Sequence, residues 1–235
     1  MDPYPHPYSQ AAKLDPRIKD PRPPIEPSLA PLIDSCQLPE DLSLDLLRGT
    51  GQDEIFVYTA DKVLQSAPTL KHTEYSTPER HGISVLLSVF SPKEPTSQAL
   101  PALYHIHGGG MVAGDRFTAL PELVSLLKGI ECVVVSVEYR LAPETRAPRA
   151  AEDCYAGLAW TWEHAGELGV DPSRIVVWGV SGGAALATAV CLMARDAQRR
   201  GGDGGDSDAP MPFVKAQMLV TPMLDDRCDT VSEAV

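Results

Sequence analysis

At 235 residues, 43% of them hydrophobic, the chain is long enough to bury one sizeable core, and one α/β domain of this length is ordinary. A formal net charge of -12 with no basic stripe excludes a nucleic-acid partner, because displacing counterions from a phosphate backbone needs clustered Lys and Arg. No stretch of about 18 apolar residues occurs, the N-terminus carries no charged-then-apolar leader, and Cys36, Cys132, Cys154, Cys191 and Cys228 stand singly; the expectation is a cytoplasmic chain with free thiols, no metal and no membrane span.

Residues 1–35 are dense in proline, including Pro21, Pro23, Pro24, Pro27 and Pro31, which fix φ and remove amide donors, so this arm is read as irregular. Pro39, Glu40 and Asp41 open a short apolar stretch through Leu47 that Gly49 and Gly51 stop, which predicts a helix with an N1 proline. Residues 1–60 are accordingly expected to form a proline-rich arm and small N-terminal cap segment, and 61–235 the core. From about residue 70, apolar strand-like runs at 69–76, 83–90, 102–106, 132–139, 174–179 and 213–221 alternate with amphipathic helices, the pattern of a mostly parallel sheet with helices on both faces. Phe117, Leu120, Val124 and Leu127 recur at helical spacing, as do Ala151, Tyr155, Leu158 and Trp162. A third helix is predicted from Ser181 to about Arg199, with small residues at its start for close packing on the sheet. The GGDGGDSD run at 201–208 has too little apolar content to pack and reads as a solvated loop whose acids face water.

The apolar run from Arg174 enters Gly179-Val180-Ser181-Gly182-Gly183, which fits G-x-S-x-G between a strand and a helix. A serine on that sharp turn projects its Oγ above the sheet, and only glycine at the flanking positions lets the neighbouring chains approach so closely. The bland alternative is a glycine-rich turn with an incidental serine. Against it stands a second motif, His107-Gly108-Gly109-Gly110, at the end of the third predicted strand. Loops of this type supply backbone amides that complete an oxyanion hole together with the amide after the nucleophile, here Gly182. Ser181 is therefore the candidate nucleophile, Gly109, Gly110 and Gly182 the candidate oxyanion donors, and His107, Gly108, Gly179 and Gly183 their supporting residues. His107 itself reads as a structural histidine bonding the loop backbone rather than as a catalytic one.

In order and spacing, His107-Gly-Gly-Gly, then Tyr139-Arg-Leu-Ala-Pro-Glu144, then Asp171-Pro-Ser-Arg-Ile-Val-Val-Trp-Gly-Val-Ser-Gly-Gly resemble the signatures of the hormone-sensitive-lipase-like esterases of the α/β-hydrolase fold. The likeness covers roughly residues 70–227. It implies carboxylic-ester hydrolysis on a small-molecule ester, no cofactor, a cap built partly from the N-terminal segment, and a structural role for Arg140 and Glu144 as anchors of the loop after the fourth strand. The chain departs from relatives at Val180, where an acidic residue is common, and at Gly182 and Ala184.

In this fold the triad runs Ser, then Asp or Glu, then His. No histidine follows Ser181; the six are His6, His72, His81, His105, His107 and His164. His164 is expected at the far end of the helix between the fourth and fifth strands, and His105 and His107 on the strand and loop that frame the hole. Asp225, Asp226 and Asp229 come too early for the acid and read as turn residues. The expectation is an α/β-hydrolase lacking its last strands, C-terminally truncated, with catalytic Asp and His absent and an apolar strand left at the sheet edge. A non-catalytic small-molecule-binding relative, of the kind seen in the plant gibberellin receptors, and an inactive fragment are the alternatives. Composition says nothing of the oligomeric state.

Overall fold

Runs of β-branched residues and three-to-four-residue apolar repeats set the elements of this chain, and the computed structural model arranges them as one sheet covered on two faces. The described residues are 27–29, 31, 43–48, 58–78, 84–94, 96–202 and 212–225. They divide into a compact unit of residues 43–223 and a second unit of residues 1–42 with 224–235. Every element named below lies in the first. The arm at 1–26, the start of the helix predicted from Pro39, and residues 203–208 of the expected solvated loop fall outside the described residues; Gly201 and Gly202, expected in that loop, instead end the helix that begins at Gly182.

Six strands, β1 (Leu70–Ser76), β2 (Leu86–Pro92), β3 (Leu100–Ile106), β4 (Val133–Glu138), β5 (Val170–Val180) and β6 (Ala216–Val220), form a sheet of order β1-β2-β4-β3-β5-β6. β2 pairs antiparallel with both β1 and β4, whereas β4, β3, β5 and β6 run parallel. The expected mostly parallel sheet is present, and each predicted strand appears with bounds moved by a few residues. β5 begins earlier than expected, because Val170 already pairs with Leu100 before the ladder resumes at Ile175. Between them Asp171 folds back, its Oδ1 accepting from the amide and hydroxyl of Ser173 at 2.9 and 2.7 Å, the local turn that Asp favours.

The helices are α1 (Leu44–Leu47), α2 (Ala60–Ser66), α3 (Leu120–Leu126), α4 (Arg149–Glu163), α5 (Ala165–Leu168) and α6 (Gly182–Gly202). α2 and α5 were not expected. α2 did carry a signal, since Thr59 caps it by accepting from the Lys62 amide at 3.3 Å. α5 is a single turn closed by Gly169 in the left-handed region, too short for a periodic pattern to reveal.

Alternation along each strand sorts the core into two layers. Tyr104 and Ile106 of β3 with Val133, Val135 and Val137 of β4 pack with Leu158 of α4 and Ala187 and Val190 of α6. Leu103 and Val134, pointing the other way, pack with Val63 of α2 and Leu120, Leu123 and Val124 of α3. Each such side chain contributes roughly 1.5–3 kcal/mol when fully buried. Because both faces are covered, β4 is apolar on both, with Val133, Val134, Val135 and Val137 interrupted only by Ser136. Among the described residues no helix is long and apolar enough to cross a membrane.

Candidate active site

β3 and β5 are parallel neighbours, with Ile106 opposite Gly179. Their carboxyl ends lie side by side, at the edge where open α/β sheets bind ligands. The segment after β3, His107 to Gly110, and the segment after β5, Ser181 to Gly183, are thereby brought together although more than seventy positions separate them in sequence.

Ser181 takes φ of +53°, a left-handed conformation that costs a non-glycine residue about 1–2 kcal/mol. Backbone hydrogen bonds hold it there: its amide donates to the Val220 carbonyl of β6 at 2.9 Å, and its carbonyl accepts from the Ala184 amide at 3.0 Å as α6 begins and from the Ala185 and Met223 amides at 3.4 Å each. The side chain is half-buried rather than sealed into the core. Glycine is required on both sides of it. A Cβ on Gly179 would meet the Gly183 carbonyl carbon at 2.7 Å and the Ala184 Cα at 2.6 Å, and one on Gly183 would run into the carbonyls of Ile106 and His107. Gly182 lies directly against the other loop, where a Cβ would stand 3.1 Å from the Gly110 Cα and the Met111 nitrogen. Gly108 faces Ser181 in the same way, with the Ser181 Cβ 3.6 Å from where its own would be. All eight residues singled out from the sequence are therefore assembled in one place.

The loop keeps its shape through three consecutive left-handed residues, Gly109 (+110°), Gly110 (+62°) and Met111 (+63°), while the Gly109 carbonyl accepts from the amides of Val112 and Ala113 at 3.0 Å each. The amides of Gly109, Gly110 and Gly182 donate to no other described group. Uncommitted amides at a concave site are what a developing negative charge needs, since they otherwise go unsatisfied.

The histidines beneath the loop are committed elsewhere. His107 is fully buried, stacks on Tyr139 with ring centroids 4.1 Å apart, and donates from Nδ1 to the Gly108 carbonyl at 2.7 Å. The Tyr139 hydroxyl donates to the His107 carbonyl at 2.9 Å. His105 sits opposite Ser136 on the α3 face, with Nδ1 2.8 Å from the Ser136 hydroxyl. That hydroxyl donates to the Arg116 carbonyl at 2.6 Å, so it accepts from His105. The Nε2 atoms of both rings are buried without a hydrogen-bond partner. Burial pushes His107 down to about 4 and His105 to about 3, so both rings stay neutral. His164 lies at the far end of α4, stacked on Trp160 and bonded to its carbonyl at 2.9 Å.

Three arginines brace the surrounding loops. Arg140 grips the buried Asp153 of α4 with Nε and Nη2, each at 2.8 Å, anchoring the segment after β4. Arg116, downstream of the glycine loop, bonds Glu138 and Ser88 at 2.8 Å each and pairs with Glu74. Arg48, just past α1, forks onto Glu144 with both contacts at 2.8 Å and holds that carboxyl down at about 2. Arg48 and Asp153 were not legible as site residues, because no motif surrounds them and their partners lie far along the chain. A cavity of about 1090 Å³ opens over the loop, lined by Arg48, Tyr58, Gly109, Gly110, Leu141 and Glu144 among others. No three His, Cys, Asp or Glu side chains among the described residues come together as a metal site would need.

Residues 103–235 match a protein family described as alpha/beta hydrolase fold. The chain is 42% identical over 137 residues to the carboxylic ester hydrolase LipN of Mycobacterium tuberculosis, covering 57% of this chain and 34% of that protein. It is 33% identical over 178 residues to the esterase LipI of the same organism, covering 75% and 54%, and 39% identical over 112 residues to an arylesterase of Saccharolobus solfataricus, covering 47% and 35%. Among solved structures it superposes on a bacterial heroin esterase with a TM-score of 0.69 at 34% identity, covering 89% of this chain and 61% of that one. A hyperthermophilic esterase from Pyrobaculum calidifontis gives 0.62 at 30% identity, covering 85% and 59%. The chain thus spans about a third to a half of the length of these curated relatives. By its two glycine motifs, its sheet and these matches, the chain belongs to the hormone-sensitive-lipase-like esterase family of the α/β-hydrolase fold.

Proposed function

We propose that this site serves carboxylic-ester hydrolysis through an acyl-enzyme on Ser181, with a small-molecule ester as substrate. The observation that carries the reading is the meeting of Gly182 with Gly110 and Met111 beside a strained, half-buried serine. In this mechanism the Ser181 Oγ attacks the ester carbonyl carbon and loses its proton to a base. Negative charge gathers on the carbonyl oxygen, where the amides of Gly109, Gly110 and Gly182 receive it. The α6 N-terminus adds a partial positive charge at the same point. The alkoxide departs with the proton, and water then releases the acid. Removing one hole donor typically costs a factor of about 10² to 10³ in turnover.

No residue from 182 to 235 is a histidine, and the two rings nearest the loop are neutral, buried and aimed into other bonds. On this reading the chain by itself holds the nucleophile and the hole without the base. Its expected rate is the residual one of such sites, about 10³ to 10⁴ over water. The cap assignment of residues 1–60 belongs to the same proposal, supported by Leu47, Arg48 and Tyr58 in the cavity wall. Hydrolysis of a p-nitrophenyl ester by this chain and by Ser181→Ala provides the test: a small rate that the variant barely changes is expected, because binding and the oxyanion hole supply it, a large Ser181-dependent rate would overturn the missing base, and no rate above the uncatalysed one would overturn the hole. A second reading, small-molecule binding without turnover, draws on the cavity of about 1090 Å³ and the absent base. Saturable binding that Ser181→Ala leaves unchanged, with no hydrolysis above the uncatalysed rate, would favour it.

A further inference from the structure

We infer that Arg48 is a positioning residue that latches the glycine loop in the shape its amides need, an inference resting on the hydrolase reading above. Arg48 makes four hydrogen bonds to two segments that are distant in sequence. Its Nε donates to the Val112 carbonyl at 2.8 Å and its Nη2 to the Ala142 carbonyl at 2.9 Å, while Nη1 and Nη2 take the two Glu144 oxygens at 2.8 Å each. The two carbonyls belong to segments already stitched together, since the Ala142 amide donates to the Met111 carbonyl at 2.9 Å. Met111 is the residue whose nitrogen lies against Gly182. One guanidinium therefore closes a short path from the N-terminal segment to the oxyanion donors: Arg48 to Val112 and Ala142, these to Met111, and Met111 to Gly182.

The latch has a physical need behind it. Gly109, Gly110 and Met111 hold left-handed φ in succession, and for Met111 that conformation is costly without outside support. The loop's own bonds run from Val112 and Ala113 to the Gly109 carbonyl. Outside support comes from the Ala142 amide on Met111, and Arg48 locks that junction by holding the Val112 and Ala142 carbonyls together. Arginine suits the task where lysine does not, because its planar fork meets a carboxylate with two parallel bonds and still has Nε free for a carbonyl. Arg48 is three-quarters shielded while Glu144 is largely exposed, so the arginine rather than the carboxylate is the interior half of the pair.

Amide hydrogen exchange of the 235-residue chain tests this without using turnover. Arg48→Met is expected to speed exchange of the hydrogen-bonded Val112, Ala113 and Ala142 amides by about tenfold or more, while amides of β3 and α4 stay within about twofold, because bonds from a charged donor are lost only at the loop and the segment after β4. Arg48→Lys, which keeps the charge and loses the fork, is expected to fall between the two. Glu144→Gln, at an exposed position, serves as the second variant should Arg48→Met lack a cooperative thermal transition, and is expected to speed the same amides. Exchange at Val112, Ala113 and Ala142 unchanged in Arg48→Met, or in Glu144→Gln where that variant decides, or raised equally over the whole sheet, overturns the latch. Ser181→Ala is expected to leave loop exchange unaltered, so loss of the ester reading and loss of the latch give separate signatures.

Discussion

Ser181 and the two buried histidines show how single residues here carry opposite kinds of cost. Ser181 holds a left-handed backbone that hydrogen bonds from both its amide and its carbonyl stabilise, and the result is a hydroxyl beside uncommitted amides. His105 and His107 instead bury a ring whose charged form the surroundings reject. Their folded values, about 3 and about 4, lie below the ordinary value of 6.5, so the unfolded chain binds more protons than the folded one below pH 6.5. Their contribution is complete above that pH and declines as pH falls toward those values, by up to about 1.4 kcal/mol per pH unit for each ring. Urea denaturation between pH 6.5 and 4.5 is expected to show His105→Gln with a flatter decline than the parent chain; parallel curves would contradict the assignment. Both glycine motifs and the serine were legible in the sequence, because a sharp turn and a close approach admit so few residue types. The commitment of His105 to Ser136 was not, since it depends on strand register.

At the scale of elements, the site is a product of neighbouring strand ends and the loops that leave them. The segment after β4 is held by Arg140 on Asp153, whose side chain is 1% exposed in α4. Removing the arginine side chain leaves the buried Asp153 carboxylate with the Arg140 amide at 3.1 Å and without its charged partner. Arg140→Met is expected to lower stability by about 2 kcal/mol in urea denaturation, the usual size for lost hydrogen bonds to a charged group when the arginine itself is 41% exposed. A loss below about 1 kcal/mol would mean that water reaches Asp153 freely. Strand and helix types were readable from period and composition, as Val133 to Val137 and the α4 stripe illustrate. Element bounds were less so, as in β5, where a turn at Asp171 interrupts pairing that apolar content alone did not mark.

On the scale of the whole molecule, β6 is the last strand of the sheet among the described residues, and its Ala216 to Met218 face is exposed, with Met218 at 50%. Phe213 and Met223 on either side are exposed too, at 42% and 54%. An apolar edge strand with unpaired backbone groups is a template for self-association. Met218→Lys is therefore expected to reduce concentration-dependent association of the 235-residue chain, read by light scattering, without lowering its thermal midpoint by more than about 0.5 kcal/mol equivalent. Equal scattering from both chains would place any association elsewhere. The apolar edge strand expected at 213–221 is β6, whereas the order of the strands within the sheet was not legible.

The sequence by itself determined what is local: the alternation of strands and helices, the glycines a tight elbow and a wide-open loop demand, and the absence of a histidine after Ser181. Such features follow from backbone sterics and burial periodicity, which act over a few residues. Only the tertiary structure decided which segments meet. The strand order placed β3 beside β5, so that Gly182 touches Gly110. It also let Arg48 find Val112, Ala142 and Glu144, sixty to one hundred positions away, because long-range pairing is chosen by the free energy of the whole packed core and leaves no periodic trace in the chain.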